Sequence, residues 1–365
     1  MNRNISLVLV LVFLTASCII IIQPAKASAD SWVTKAPMPS AKAVGGAVAV
    51  NGEIYVIGST FTYVYNPSTD TWVSKTPKPT DQQSFAVAAY HNKIYVFGGC
   101  NGFNPISGYP INCTGANEVY NPATDSWENR ASMPTARAEL QAEVVNGKIY
   151  LLSGAIPSGD ISNTTEVYDP SNDSWSTAAP IPTPVALYAS AIVDNKIYVE
   201  GGGRSGPYIS DLNQIYDTET NVWTLGAPLP TPLLWAAASA TTGVLAPTKL
   251  YVIGGTTDGI NAVNTTYIYD PQANSWTTGA LMPTARGTLS MAVVNDTLYA
   301  LGGAGNLLDP QASTSDANEQ YFPLGYGEPA PSPSYVGVAV AVAVAAIVII
   351  AVVVAFTIRK RSNKD

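Results

Sequence analysis

The sequence predicts an all-β domain, a six-bladed β-propeller closed by its own N-terminal strand, because three marks recur six times each along the chain. The first is a Tyr in an apolar run that mostly ends in Gly-Gly: Tyr55, Tyr95, Tyr150, Tyr198, Tyr251 and Tyr299. The second is a Tyr mostly followed by Asp-Pro or Asn-Pro: Tyr65, Tyr120, Tyr168, Tyr216, Tyr269 and Tyr321. The third is a Trp with a Pro seven residues later: Trp32, Trp72, Trp127, Trp175, Trp223 and Trp276. A repeat of about 50 residues is the signature of a propeller, in which no single unit can bury its own apolar face.

Composition agrees with many short strands and tight turns. Among 365 residues there are 29 Gly and 27 Pro, and only 12% are charged. Between residue 28 and Ile358 the chain carries 12 basic and 25 acidic residues, which excludes a nucleic-acid partner. One His and three Cys leave no set of ligands for a metal, and no cofactor motif is present.

The two ends carry targeting segments, which are not part of the fold. Residues 1–27 form a signal peptide: Arg3, an apolar stretch over 5–22, then Ala25-Lys26-Ala27 as a cleavage site. Retained, the same stretch would be an anchor with the same orientation. Residues 28–326 are the propeller, and 327–335 a Pro- and Ser-rich stalk. Val336–Ile358 has no charge over 23 residues and is expected to cross a membrane as a helix. The basic tail 359–365 would be cytoplasmic and the propeller extracellular.

Five second-mark Tyr residues have a Trp seven positions later, from Tyr65/Trp72 to Tyr269/Trp276. Tyr321 has none, and Trp32 has no Tyr before it. The two orphans complete one blade, so the strand around 32–35 should join the strands of 287–322 and close the ring. Each unit reads as four strands; in the third they are 138–145, 148–153, 164–169 and 173–178, with Asn146-Gly147 as the first hairpin turn.

A basic residue before the inner strand, the run ending in Gly-Gly, the Tyr-Asp-Pro step and the late Trp together resemble the kelch repeat over about residues 31–322. Ser59 and Ser153 replace glycines, and unit five inserts 242–247. The resemblance implies binding at the channel mouth, on the face of the loops between second and third strands. These loops (100–116, 155–163, 203–211, 256–263 and 304–316) are long except in unit one. Cys100 and Cys113 share the longest, and outside the cell they are expected to form a disulfide; a reactive thiol or metal pair is the alternative. Sequons begin at Asn112, Asn163, Asn172, Asn264 and Asn295.

Alternation along the inner strands puts Lys42, Gln82, Arg137 and Arg286 at the channel entrance. Glu139, Gln141 and Glu143 follow Arg137, whereas units four and five offer Leu187, Ala189 and Trp235. The channel should be polar on one side and apolar on the other. Glu200 occupies a slot that is apolar in the other units, with Arg137 or Arg204 as candidate partners.

Three functions compete. The chain can be a cell-surface module binding a protein or glycan through the loop face, and Trp235 and Tyr188 would suit a sugar. It can be an enzyme, since kelch propellers include sialic acid mutarotases, which resemblance would support with channel carboxylates and Arg137 or Arg286. Galactose oxidase chemistry is excluded because its copper site needs two histidines and His91 stands alone. It can also be a structural envelope component with no ligand.

Overall fold

A computed structural model describes residues 30–41, 45–102, 110–203, 208–307 and 313–328. The expected signal peptide, Lys42, Arg204, most of the stalk, the membrane span and the basic tail lie outside them. Among the described residues no helix is long and apolar enough to cross a membrane.

Six four-stranded antiparallel sheets are present, each hydrogen-bonded in the order inner, second, third, outer. The first five cover 46–75, 86–130, 141–178, 189–225 and 237–278. The sixth takes Ser290–Val294, Thr297–Leu301 and Asn318–Phe322 from the end of the repeat and Ser31–Thr34 from its start. Trp32 lies directly opposite Tyr321, so the two orphans do share a blade. Their rings sit 5.0 Å apart, against 4.9 Å for Tyr65 and Trp72 inside a single repeat.

Packing between blades explains the aromatic marks. Each seam fills with the second-strand residues of one blade and the third-strand Tyr and outer Trp of the next. Phe97, for example, meets Tyr168 and Trp175. These rings carry most of the apolar area that adjoining blades can bury.

A polar clamp closes all six seams at the rim. The residue two before each Trp is Asp or Asn, and it accepts the backbone N–H of one residue leaving the preceding blade. The Trp indole N–H donates to that same residue's carbonyl. Asp70 and Trp72 hold Ala36 this way at 2.8 and 2.8 Å. Asp125 and Trp127 hold Thr76, Asp173 and Trp175 hold Ala131, Asn221 and Trp223 hold Ala179, and Asn274 and Trp276 hold Ala227. At the closing seam Asp30 and Trp32 hold Ala280, at 2.8 and 2.9 Å. In the five unbroken blades the third-strand Tyr hydroxyl also donates to the Asp or Asn, as Tyr65 does to Asp70 at 2.6 Å. That bond holds the Asp70 carboxyl below its ordinary range.

Two substitutions within the repeat are explained locally. Ser153, in place of a glycine, adopts φ 52°, and its hydroxyl accepts the Val185 N–H and donates to the Ser162 carbonyl. The insertion of unit five wraps the buried carboxylate of Asp296, which accepts N–H bonds from Thr242, Val244, Leu245 and Ala246.

Candidate functional site

The residues expected at the channel entrance divide into two groups, and the division corrects the alternation argument. Arg137 and Arg286 do not face the channel: both are fully buried inside their blades. Arg137 donates to Glu166 at 2.5 Å and to the Leu151 carbonyl at 3.1 Å. Arg286 donates to Glu319 at 2.6 Å and to several carbonyls, including that of Ala317 at 3.3 Å. The corresponding residues of blades four and five, Val185 and Leu233, are core residues as well. Gln82 is half-buried, and its Oε1 lacks a hydrogen-bond partner among the described residues.

The reason is a backbone break. Glu139 adopts φ 58°, as do its equivalents in four other blades within a few degrees: Ser84 (55°), Leu187 (58°), Trp235 (57°) and Thr288 (52°). A left-handed residue turns the chain, so strict alternation cannot be carried across it. The inner strand of unit three therefore starts at Gln141 instead of residue 138.

Both buried arginines serve a slot at the second position of the third strand, occupied by Tyr63, Glu118, Glu166, Gln214, Tyr267 and Glu319. In every blade a residue of the incoming linker bonds to it: Ser40, Thr80, Thr135, Thr183, Thr231 and Thr284. Where the slot holds Glu, a buried cation joins it. In blade two that cation is Lys78, 3.1 Å from Glu118, not Gln82. These pairs pin each linker to its own blade.

The five left-handed residues form a chain of hydrogen bonds around the channel mouth. Glu139 N–H donates to the Ser84 carbonyl at 2.8 Å, Leu187 to Glu139 at 3.1 Å, Trp235 to Leu187 at 3.0 Å, and Thr288 to Trp235 at 2.9 Å. Their side chains line a cavity of about 180 Å³, together with Gln141 and Ser190. Glu143 lies two residues beyond Gln141 and accepts a hydrogen bond from Ser190 Oγ. Burial pushes Glu139 and Glu143 up to about 7, with the Ser190 bond opposing the rise at Glu143. Among the described residues lining this cavity there is no Lys, Arg or His.

Tyr188 also lines the cavity, whereas Cys100, Cys113 and Glu200 lie apart from it. Tyr188 is buried, donating its hydroxyl to the Leu152 carbonyl and accepting the Gln141 N–H, so it braces blades three and four. Cys100 and Cys113 are disulfide-bonded, as their location in one loop suggested. Glu200 is buried and among the described residues neither carboxylate oxygen has a hydrogen-bond partner; Arg137 is engaged by Glu166. Burial raises its carboxyl well above the ordinary range. Among the described residues no cluster of His, Cys, Asp or Glu could hold a metal ion.

A family model described as the KLHDC2/KLHL20/DRC7 Kelch-repeats domain matches residues 44–231 and, in a shifted register, 117–303. The chain belongs to the kelch-repeat family. Its fold is also similar to a solved structure titled "Structure of YjhT", with a TM-score of 0.66 and 18% identity. That match covers 77% of this chain and 95% of the other, and at this identity it bears on the fold alone.

The clamp acceptors and the glutamates paired with the buried cations were missed by the sequence reading. Both repeat: Asp or Asn always stands two residues before the Trp, and Glu, Gln or Tyr always fills the third-strand slot. Aligning the six units on Trp exposes the first set, and aligning them on the third-strand Tyr exposes the second.

Proposed function

We propose that this propeller is a surface-displayed binding module whose channel mouth takes a basic side chain of a protein partner. The observation that carries the reading is the mouth itself: Glu139 and Trp235 in its lining, Glu143 hydrogen-bonded to the lining Ser190, and no basic residue among its described lining. Two carboxylates favour a cation, and an indole face adds an attraction of about 0.5–2 kcal/mol for an ammonium or guanidinium. A sugar carboxylate would meet the same two glutamates and no cation. Arg137 and Arg286, which a mutarotase-type reading would set against an acidic sugar, are each committed to a buried Glu.

Display at a surface rests on the apolar run 336–358 with its basic tail. The described chain begins at Asp30 and ends at Glu328, both near the end of the sixth blade away from the mouth ring. An anchor on that side would leave the mouth facing away from the bilayer.

The test is a peptide array probed with the full-length protein in nanodiscs, comparing Arg- or Lys-containing peptides with their Gln-substituted twins. Binding should need the basic residue and fall at least ten-fold in Glu139→Gln and in Glu143→Gln. It should also weaken as pH drops below about 7, because protonation removes the charge that the cation reads. Equal binding of the Gln twins would sink the reading.

A further inference from the structure

A second cavity lies at the other end of the molecule, and the repeat pattern fails at that point in four positions together. In blades three, four and five the second strand opens with Lys and the third strand ends with Asp, and the two pair. Lys148 meets Asp169 at 2.8 Å, Lys196 meets Asp217 at 3.9 Å, and Lys249 meets Asp270. In blade six these positions are Thr297 and Phe322. In blade one they are Glu53 and Asn66, joined by a bond of 3.5 Å; Asn also ends the third strand of blade two, at Asn121, so the departure there is Glu53. The fourth departure is Gln320, which stands where the other blades have Val64, Val119, Val167, Ile215 and Ile268.

These departures meet at the seam of blades six and one, around a cavity of about 420 Å³. Glu53, Asn66, Thr297 and Gln320 line it directly. Phe322 acts through Tyr326, whose ring meets it edge-on at 5.4 Å and forms a wall of the cavity. The segment carrying Tyr326 is held in place by Gly327 N–H on the Leu245 carbonyl at 2.7 Å. Gln320 is 8% exposed and donates to Thr297 Oγ1 at 3.0 Å, which fixes its amide.

We propose that this seam cavity is a second binding site, for an uncharged sugar residue. Its volume lies within the range of about 300–1,000 Å³ usual for small-ligand pockets. Amides present a donor and an acceptor side by side, which suits vicinal hydroxyls. Glu53 adds a charged acceptor, and the Tyr326 ring offers an apolar face. Among the described residues there is no Lys, Arg or His in the lining, so an acidic sugar would find no counter-charge there. The site is independent of the channel mouth.

The other blades supply the test variants. Gln320→Val and Glu53→Lys each restore a residue that the repeat accepts elsewhere, so folding should survive. The full-length protein in nanodiscs is to be probed on an array of neutral, amino and sialylated oligosaccharides. Neutral sugars should bind, and each variant should lose at least ten-fold in affinity with an unchanged thermal midpoint. Glu139→Gln, at the other site, should bind as wild type. Phosphatidylcholine vesicles with and without a galactosyl diglyceride distinguish a lipid-borne sugar from a free or protein-linked glycan. No binding of any neutral sugar at millimolar concentration, a preference for sialylated ones, or binding undiminished in both variants would overturn the proposal.

Discussion

The rim and the channel of this propeller are built from the same six repeats but obey them differently. At the rim, six seams carry the same clamp, gripping the same linker position, an Ala at five seams and Thr76 at one, with indole bonds of 2.8–3.0 Å. At the channel mouth the backbone repeats while the side chains do not: Ser84, Glu139, Leu187, Trp235 and Thr288 share one conformation and no common chemistry. A clamp that joins blades must be satisfied at every seam, because one open seam leaves a sheet edge and a buried Tyr without its cover. A mouth held by backbone hydrogen bonds leaves its side chains free to differ. Strict repetition therefore marks what the ring needs, and departures from it mark where a ligand can be read.

The largest expected effect tests whether the closing seam equals the other five. Deleting residues 31–36 removes Trp32 and the outer strand of blade six, and with Ala36 it removes the residue that Asp70 and Trp72 grip. Two neighbouring seams lose their clamps together. Truncating a fully buried aromatic costs about 3–5 kcal/mol; the half-buried Trp32 gives less by itself, but the deletion adds the loss of a strand and two clamps, against the roughly 5–15 kcal/mol that stabilises a domain. The deletion should abolish cooperative unfolding in urea, and Trp32→Ala should lower the midpoint as much as Trp175→Ala. A native-like deletion variant would show that ring closure is dispensable.

Much of the rim was legible in the sequence, because seam packing uses large residues at fixed spacing. Trp32 and Tyr321 could be matched from opposite ends of the chain, since each lacked what the other had. The channel was legible only in part. Glu139 was placed correctly at the mouth, but Arg137, two residues earlier, was placed there by an alternation that the φ of 58° at Glu139 interrupts. Backbone handedness at a non-glycine residue leaves no mark in composition. Partner choice was equally hidden: Glu200 was expected to find Arg137 or Arg204; Arg204 lies outside the described residues, and the Arg137 guanidinium has a carboxylate in Glu166, inside its own blade.

An intermediate effect is expected where the repeat permits several solutions. Arg137→Leu leaves Glu166 buried without its cation and should cost about 3–5 kcal/mol in urea unfolding. Blade five shows a solution without charge, with Leu233 and Tyr267 in the two slots and Thr231 bonded to the Tyr hydroxyl. The double change Arg137→Leu with Glu166→Tyr copies it, keeps Thr135 as the partner, and should recover most of the loss. A double variant no better than the single would mean that the pair does more than pin the linker.

The smallest effect is expected at Glu200, a departure from the repeat that neither the rim nor a described ligand cavity uses. Ile57, Phe97, Leu152, Ile253 and Leu301 fill the same slot elsewhere, so Glu200→Leu restores the rule and removes an unpartnered buried carboxyl. Relieving an unsatisfied buried polar group should stabilise the fold by about 1–3 kcal/mol at neutral pH. The sign with pH follows from the raised carboxyl. Below the unfolded value of about 4.3 both states are protonated and the group has no effect on stability. Above it the unfolded chain releases a proton that the folded one keeps, so stability falls with rising pH until the folded group ionises. Glu143 and, more weakly because of its position at the open mouth, Glu139 act in the same direction up to about pH 7. The wild-type thermal midpoint should therefore decline from pH 5 to pH 7, and Glu200→Leu should decline less while gaining most at the upper end. Parallel pH curves for the two proteins would show that Glu200 is ionised in the fold and holds a partner beyond the described residues.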